Sequence, residues 1–377
     1  MKNVYITKTG KFLPNNSVGN DEMEEKLGLI NEHPSRARRI VLRNNGIKNR
    51  YYAVDENGNT THTNAELTAG AIKNLCDEEF SAEAIELFSC GTSTPDHLLP
   101  SHASMVHGLV GKRLAELNSS SGVCCSGMNA LKYAYLSVVS GNTTNAICTG
   151  SERVSTWMQA QKFNSEVKNL KSLEKQPIIA FKKEFLRWML SDGAGAFLLQ
   201  TEPNGKNPLR IDWAESHSYA FELETCMYAG GDKLEDGSVK PWSDFQPEEW
   251  LSESVFSLKQ DVKLLDENII TKGVQSQKEA LQKHQVNVDE IDFFLPHLSS
   301  FFFADKLENE MKANNIHIPR EKWFTNLENV GNVGSASIYL MLEELKNSDK
   351  LKKGNKILVI VPESGRFSYF HMLLTVC

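Results

Sequence analysis

The chain has 377 residues, of which 40% are hydrophobic and 24% charged, an ordinary globular composition with apolar material for a large core or two fused domains. Its formal charge of -7 argues against non-specific nucleic-acid binding and against a basic membrane-facing surface. Seven cysteines without regular spacing form neither a disulfide framework nor a zinc pattern, which leads us to expect a reducing cytoplasm and no metal, and no apolar stretch approaches membrane-spanning length.

The run Val4-Tyr5-Ile6 predicts a strand at the N-terminus, with no leader segment before it. A polar helix ending near Ile85 precedes the apolar strand Glu86–Cys90, and a Gly-Thr-Ser-Thr-Pro loop follows. From Ser126 to Ser140, apolar residues at Met128, Leu131, Tyr135, Val138 and Val139 have helical spacing, closed by Gly141-Asn142. This puts Cys125 at a helix N-terminus, where unpaired N–H groups and the helix dipole are expected to lower a thiol pKa and make it nucleophilic. Its neighbour Cys124 is expected to point into the core, and the remaining cysteines read as small buried hydrophobes.

Alternating helix-like and strand-like segments predict an α/β architecture, and their order occurs twice. The strand near Leu87, the Cys125 turn, its helix and the strand Asn145–Thr149 recur as the strand near Phe293, the Gly331–Gly334 turn, the helix Ser335–Asn347 and the strand Lys356–Ile360. The offset is 206 residues for Leu87 to Phe293 and 207 for Cys125 to Asn332, which favours an internal duplication. The polar cluster Pro203–Lys206 sets the boundary between residues 1–203 and 204–377. Equivalent loops of the two halves would meet, bringing His297 and Asn332 to Cys125. Stretches near 154–189 and 219–250 read as additions that cap a pocket.

Blocks at Gly46–Arg50, Ser93–Ser101, the Cys125 turn, Ser191–Ala196, Leu295–His297 and Gly331–Ser337 together resemble the thiolase superfamily, and most closely its β-ketoacyl-acyl carrier protein synthase III branch. That resemblance implies a thiolase-like fold, with two duplicated α/β halves related by a pseudo-twofold axis in a layered αβαβα core. It implies a Cys-His-Asn site of Cys125, His297 and Asn332, and an oxyanion hole from the N–H groups of Cys125 and Gly365. Cys125 would hold an acyl group while His297 and Asn332 stabilise the enolate of a second thioester. The substrates would be phosphopantetheine-linked thioesters of an acyl carrier protein or coenzyme A, with no cofactor. A homodimer is implied as well, pairing through residues Leu114–Ser120, with Leu99 reaching the neighbouring acyl pocket.

The chain departs from this pattern in three places. Ile40 and Thr156 stand where the family clamps adenine with an aromatic ring and a guanidinium, which favours a carrier-protein donor over free coenzyme A. Arg36, Arg38, Arg39, Arg43, Lys48 and Arg50 form a dense basic run suited to a phosphopantetheine phosphate or an acidic carrier helix, or else to a solvated face. Ser364-Gly365-Arg366 replaces a glycine run, so Arg366, with Glu152, is a candidate for the pocket or for a base in a second, cyclising step.

The runs Phe185–Asp192 and Pro362–Ser368 are similar to ketosynthases that make dialkylresorcinol precursors, which implies a cyclohexanedione product. The alternatives are initiation of fatty-acid synthesis from malonyl carrier protein, acyl transfer to an alcohol or amine, and a non-catalytic partner subunit.

Overall fold

The computed structural model describes residues 2–35, 38–162 and 186–377. Its central element is a nine-stranded sheet. The strands are β1 (Tyr5–Phe12), β2 (Leu87–Thr92), β3 (Glu116–Ser121), β4 (Asn145–Glu152), β5 (Gly193–Gln200), β6 (Leu209–Ser218), β7 (Phe293–Pro296), β8 (Lys356–Glu363) and β9 (Ser368–Val376). Their order is β7-β8-β9-β6-β1-β5-β4-β2-β3. Strands from residues 1–203 occupy one side and strands from 204–377 the other, joined by a short antiparallel contact of Tyr5 and Ile6 with Arg210 and Leu209.

Among the described residues, six helices cover the sheet: α1 (Asn64–Leu75), α2 (His102–Val110), α3 (Ser126–Ser140), α4 (Val262–Lys283), α5 (Ala304–Ala313) and α6 (Ser337–Asn347). Strand alternation decides which face each residue serves. Leu87, Cys148 and Phe197 from one side, and Ile357, Val359 and Phe370 from the other, bury against α3 and α6 in one core. The opposite faces pack on α1 and α2 through Phe88, Cys90 and Ala196, and on α4 and α5 through Leu358 and Ile360. Two sheet halves with a helical layer between them and one outside each make the five-layer αβαβα arrangement.

The centre of this stack is tight because glycines sit where backbones meet. A Cβ on Gly127 of α3 would lie 2.3 Å from the Ser335 carbonyl oxygen, and one on Gly150 would lie 2.2 Å from it. The Tyr339 hydroxyl donates to the Gly127 carbonyl at 2.7 Å. The turn before α3 is thereby pressed against the turn before α6.

Candidate active site

The turn joining β3 to α3 carries Gly122, Val123, Cys124 and Cys125. The N–H of Ser126 returns to the Val123 carbonyl at 3.1 Å, and its hydroxyl donates there at 2.7 Å. The two cysteines face opposite ways, and the structure reverses the orientation expected from sequence. Cys125 is 1% exposed and belongs to the core between the sheet halves, with its thiol donating to the Val361 carbonyl at 3.3 Å. Cys124 lines a cavity of about 250 Å³ together with Glu152, His297, Asn332 and Ser364. The reason is local: Cys125, the N-cap residue of α3, points inward with the buried Ser126 and Gly127 that follow it, and Cys124, one residue earlier in the turn, faces the cavity.

His297 follows β7, and its N–H donates to the Ile360 carbonyl at 2.9 Å, which docks the loop onto β8. Among the described residues neither ring nitrogen has a hydrogen-bond partner, and burial lowers its pKa to about 4. A neutral imidazole thus faces the cavity with its polar atoms uncommitted. Asn332 is fixed by its backbone, donating to the Met189 carbonyl at 3.0 Å and accepting from the Ser191 N–H at 2.9 Å. Its Oδ1 accepts from the Gly334 N–H at 3.0 Å, which leaves the amide nitrogen as the group available to a ligand.

Glu152 ends β4 on the cavity wall. Its carboxylate accepts from the Ser93 hydroxyl at 2.6 Å, the Thr94 hydroxyl at 2.9 Å, the Ser93 N–H at 3.2 Å and the Ser335 N–H at 3.2 Å. Burial raises its pKa in spite of these donors. Both oxygens are engaged, so Glu152 braces the Asn332 turn from within the pocket.

Other expectations are corrected by the structure. The N–H of Cys125, expected in an oxyanion hole, donates instead to Glu363 Oε2 at 2.9 Å, as does that of Val123 at 3.0 Å. Both thiols have pKa values above the ordinary range, first through burial and then through the Glu363 charge. Desolvation and a like charge therefore outweigh the helix N-terminus that was expected to lower the pKa of Cys125. Gly365 does lie beside the turn, where an added Cβ would be 3.2 Å from Val123 Cγ2. Arg366 is exposed and donates to the Leu223 carbonyl at 3.0 Å, so it is no part of the cavity wall.

The basic run does not form one patch. Arg50 is fully buried and donates to the Trp188 carbonyl at 3.0 Å through Nε. Arg38 pairs with Glu24 at 3.0 Å and Asp21 at 2.8 Å, and Lys48 pairs with Glu328. Arg39 and Arg43 are exposed, and Arg36 lies outside the described residues. Ile40 is exposed, and Leu99 is 86% exposed, away from the cavity of its own chain.

Away from the polar end the cavity is apolar. Trp157, Leu186 and Met189 close it from the first added stretch, and Met227 and Tyr228 from the second, as expected of capping segments; residues 163–185 of the first lie outside the described residues. Leu265 and Ile269 of α4 and Phe303 before α5 also belong to its apolar lining. Sequence reading missed Glu363 and the contribution of α4. The first carried a signal, a carboxylate beside an expected glycine run, and the second carried none.

Residues 281–369 match the family model described as 3-oxoacyl-[acyl-carrier-protein (ACP)] synthase III C terminal. A β-ketoacyl-[acyl-carrier-protein] synthase III of Clostridium perfringens is 26% identical over 367 residues, covering 96% of this chain and 95% of that protein. One from Rickettsia typhi is 27% identical, covering 94% of this chain and 93% of its own length. Among solved structures, a tetronic acid condensing enzyme superposes with a TM-score of 0.75 at 19% identity, covering 99% of both chains. An OleA variant from Xanthomonas campestris superposes at 0.73 with 18% identity, covering 99% of this chain and 97% of its own. Over nearly its whole length the chain is thus similar in sequence to β-ketoacyl-[acyl-carrier-protein] synthase III proteins, and it shares their fold.

Proposed function

We propose that this condensing enzyme joins two acyl thioesters in a Claisen-type reaction through an acyl group held on Cys124. The observation that carries the reading is the meeting of Cys124, His297 and Asn332 on one largely apolar cavity. Neutral His297 takes the Cys124 proton as sulfur attacks the thioester carbonyl, and the departing thiol of the carrier receives it. The N–H groups of Cys124 and Gly365 stabilise the tetrahedral oxyanion. A second thioester then enters, and its enolate forms by decarboxylation of a malonyl group or by proton removal. Hydrogen bonds from His297 and the Asn332 amide to its carbonyl stabilise that enolate, and its carbon displaces Cys124 to form the new carbon–carbon bond.

The finer reading is that the product closes to a cyclohexanedione, the precursor of a dialkylresorcinol. Its support is the run Pro362–Ser368 and the Glu152 carboxylate on the cavity wall. Fatty-acid initiation is supported equally by the named relatives. Incubation with paired β-ketoacyl, acyl and malonyl thioesters, followed by mass spectrometry of protein and products, separates them. An adduct on Cys124 with a cyclic dione supports the full reading; a linear β-keto product alone removes cyclisation, and no adduct removes condensation by this route.

The same reading takes residues 1–203 and 204–377 as duplicated halves that jointly build the site. It places the enzyme in the cytoplasm, consistent with free cysteines and with no described helix long and apolar enough to cross a membrane. Carrier-protein or coenzyme A thioesters serve as substrates, with exposed Arg39 and Arg43 facing the donor. A homodimer forms through β3, a sheet-edge strand flanked by exposed Leu98, Leu99, Leu114 and Leu117.

A further inference from the structure

Glu363 is the last residue of β8, far in sequence from the turn it touches. Its Oε2 accepts the N–H of Val123 at 3.0 Å and of Cys125 at 2.9 Å, the two residues that bracket Cys124. Burial raises its pKa while these donors oppose the rise. The carboxylate also stands close to the tips of both loops: a Cβ on Gly122 would lie 3.4 Å from Oε2, and one on Gly365 would lie 3.3 Å from Oε1. A negative charge thus occupies the N-terminal end of α3, where the free N–H groups would otherwise stabilise a thiolate.

We propose that Glu363 is a positioning residue for Cys124: by holding the N–H groups on either side it fixes the turn with the Cys124 thiol toward the cavity and the Cys125 thiol toward the core, and its charge keeps Cys124 a thiol until His297 accepts the proton. The inference rests on the reading of Cys124 as the nucleophile. Burial is the largest cause holding the Cys124 thiol pKa high, followed by Glu363 and then Glu152. The groups around the pair are Cys125 on the turn, Glu152 on β4, His297 after β7, Tyr369 on β9 and Cys226, whose N–H donates to the Gly365 carbonyl at 2.9 Å. Arg366, next to the hairpin tip, is turned outward to the Leu223 carbonyl and does not neutralise Glu363. Such a site does not store a free thiolate; the proton leaves Sγ for His297 as the sulfur–carbon bond forms. The resting enzyme is thereby guarded against alkylation and oxidation of its nucleophile.

The test is the rate of iodoacetamide labelling between pH 6 and 10, mapped to each cysteine by peptide mass spectrometry, in the wild-type protein, Glu363→Gln and Glu363→Ala. Gln retains an oxygen for both N–H groups and removes the charge, so its Cys124 labelling profile shifts down by about one pH unit and is about tenfold faster near pH 7.5. Ala releases the turn, and label divides between Cys124 and Cys125. Wild-type and Glu363→Gln profiles that superimpose, with Cys124 labelled in both, overturn the role of Glu363 and leave the nucleophile standing. Label on Cys125 alone in the wild type overturns both. If Glu363→Ala does not fold, the isosteric variant decides.

Discussion

Cys124 and Cys125 are adjacent in sequence and face opposite sides of one turn, Cys124 on the wall of a cavity and Cys125 in the core against the Val361 carbonyl. Replacing each in turn therefore separates chemistry from packing. Cys124→Ala is expected to abolish the acyl adduct and lower turnover by at least about 100-fold with little change in stability. Cys125→Ala leaves an adduct on Cys124 and costs about 1–2 kcal/mol through lost packing. Intact-protein mass spectrometry and urea unfolding read the two effects; an adduct that survives Cys124→Ala would return the nucleophile to Cys125.

The sequence carried the helix Ser126–Ser140 to its observed ends, because its apolar periodicity and Gly141 stop are local signals. It likewise brought His297 and Asn332 together, because their turns follow strand and helix patterns that recur at one offset. It did not resolve which of two neighbouring thiols faces the cavity. That depends on how the turn before Ser126 is held, and on Glu363, whose contact with Val123 and Cys125 spans about two-thirds of the chain. The apparent basic patch failed for a similar reason. Charge counting cannot see that Arg50 is buried under the Trp188 carbonyl.

Asn332 depends on the glycine before it. Gly331 has φ 78°, and a Cβ there would lie 2.8 Å from Ser191 Cβ, so Gly331→Ala meets both an unfavourable backbone conformation and a clash. The expected cost is about 1–3 kcal/mol. Displacement of the Asn332 amide should lower condensation by about tenfold or more while leaving acylation of Cys124 less affected, since Asn332 serves the second substrate. Equal losses in both half-reactions, followed by adduct formation and product release separately, would contradict that division of labour.

Three buried histidines set a dependence of stability on pH. Burial lowers the pKa of His297 and His102 to about 4 and of His371 to about 3. In the unfolded chain each titrates near 6.5. Between these values the unfolded state binds protons that the folded state refuses, so this contribution is complete above about pH 6.5 and is lost as pH falls toward 4, by about 3 kcal/mol for one such group. Buried Asp192, raised to about 6, acts in the opposite sense and offsets part of it. The urea midpoint should be lower at pH 5 than at pH 7, and His371→Gln should narrow the gap. Equal midpoints for the wild type would show that these histidines are not held neutral.

At the free edge of the sheet, β3 exposes backbone hydrogen-bonding groups beside Leu99, Leu114 and Leu117. Such an edge, with large apolar neighbours and no strand paired to its outer side among the described residues, is stable in solution when it pairs. Leu114→Asp combined with Leu117→Asp should convert a dimer to a monomer in sedimentation at micromolar concentration. A monomeric wild type would remove Leu99 from any shared pocket.

The cavity also makes a prediction about substrate length. Its polar groups are Cys124, His297 and Asn332, and Leu265, Ile269 and Phe303 are part of its apolar lining. A thioester carbonyl anchored at the polar groups is expected to lay its alkyl chain on the apolar wall that α4 contributes, and each methylene buried there is worth about 0.8 kcal/mol. Ile269→Trp adds bulk to that apolar wall and leaves Cys124, His297 and Asn332 in place. Use of a long acyl thioester should then fall by more than about tenfold in kcat/KM, on the order of the 1–3 kcal/mol that a pocket can discriminate, while use of an acetyl thioester falls much less. The contrast isolates the apolar wall from the chemistry, because a general loss of fold or of nucleophile would lower both substrates together. If long and short substrates decline in parallel, the chain does not run beneath α4 and the acyl group is housed elsewhere.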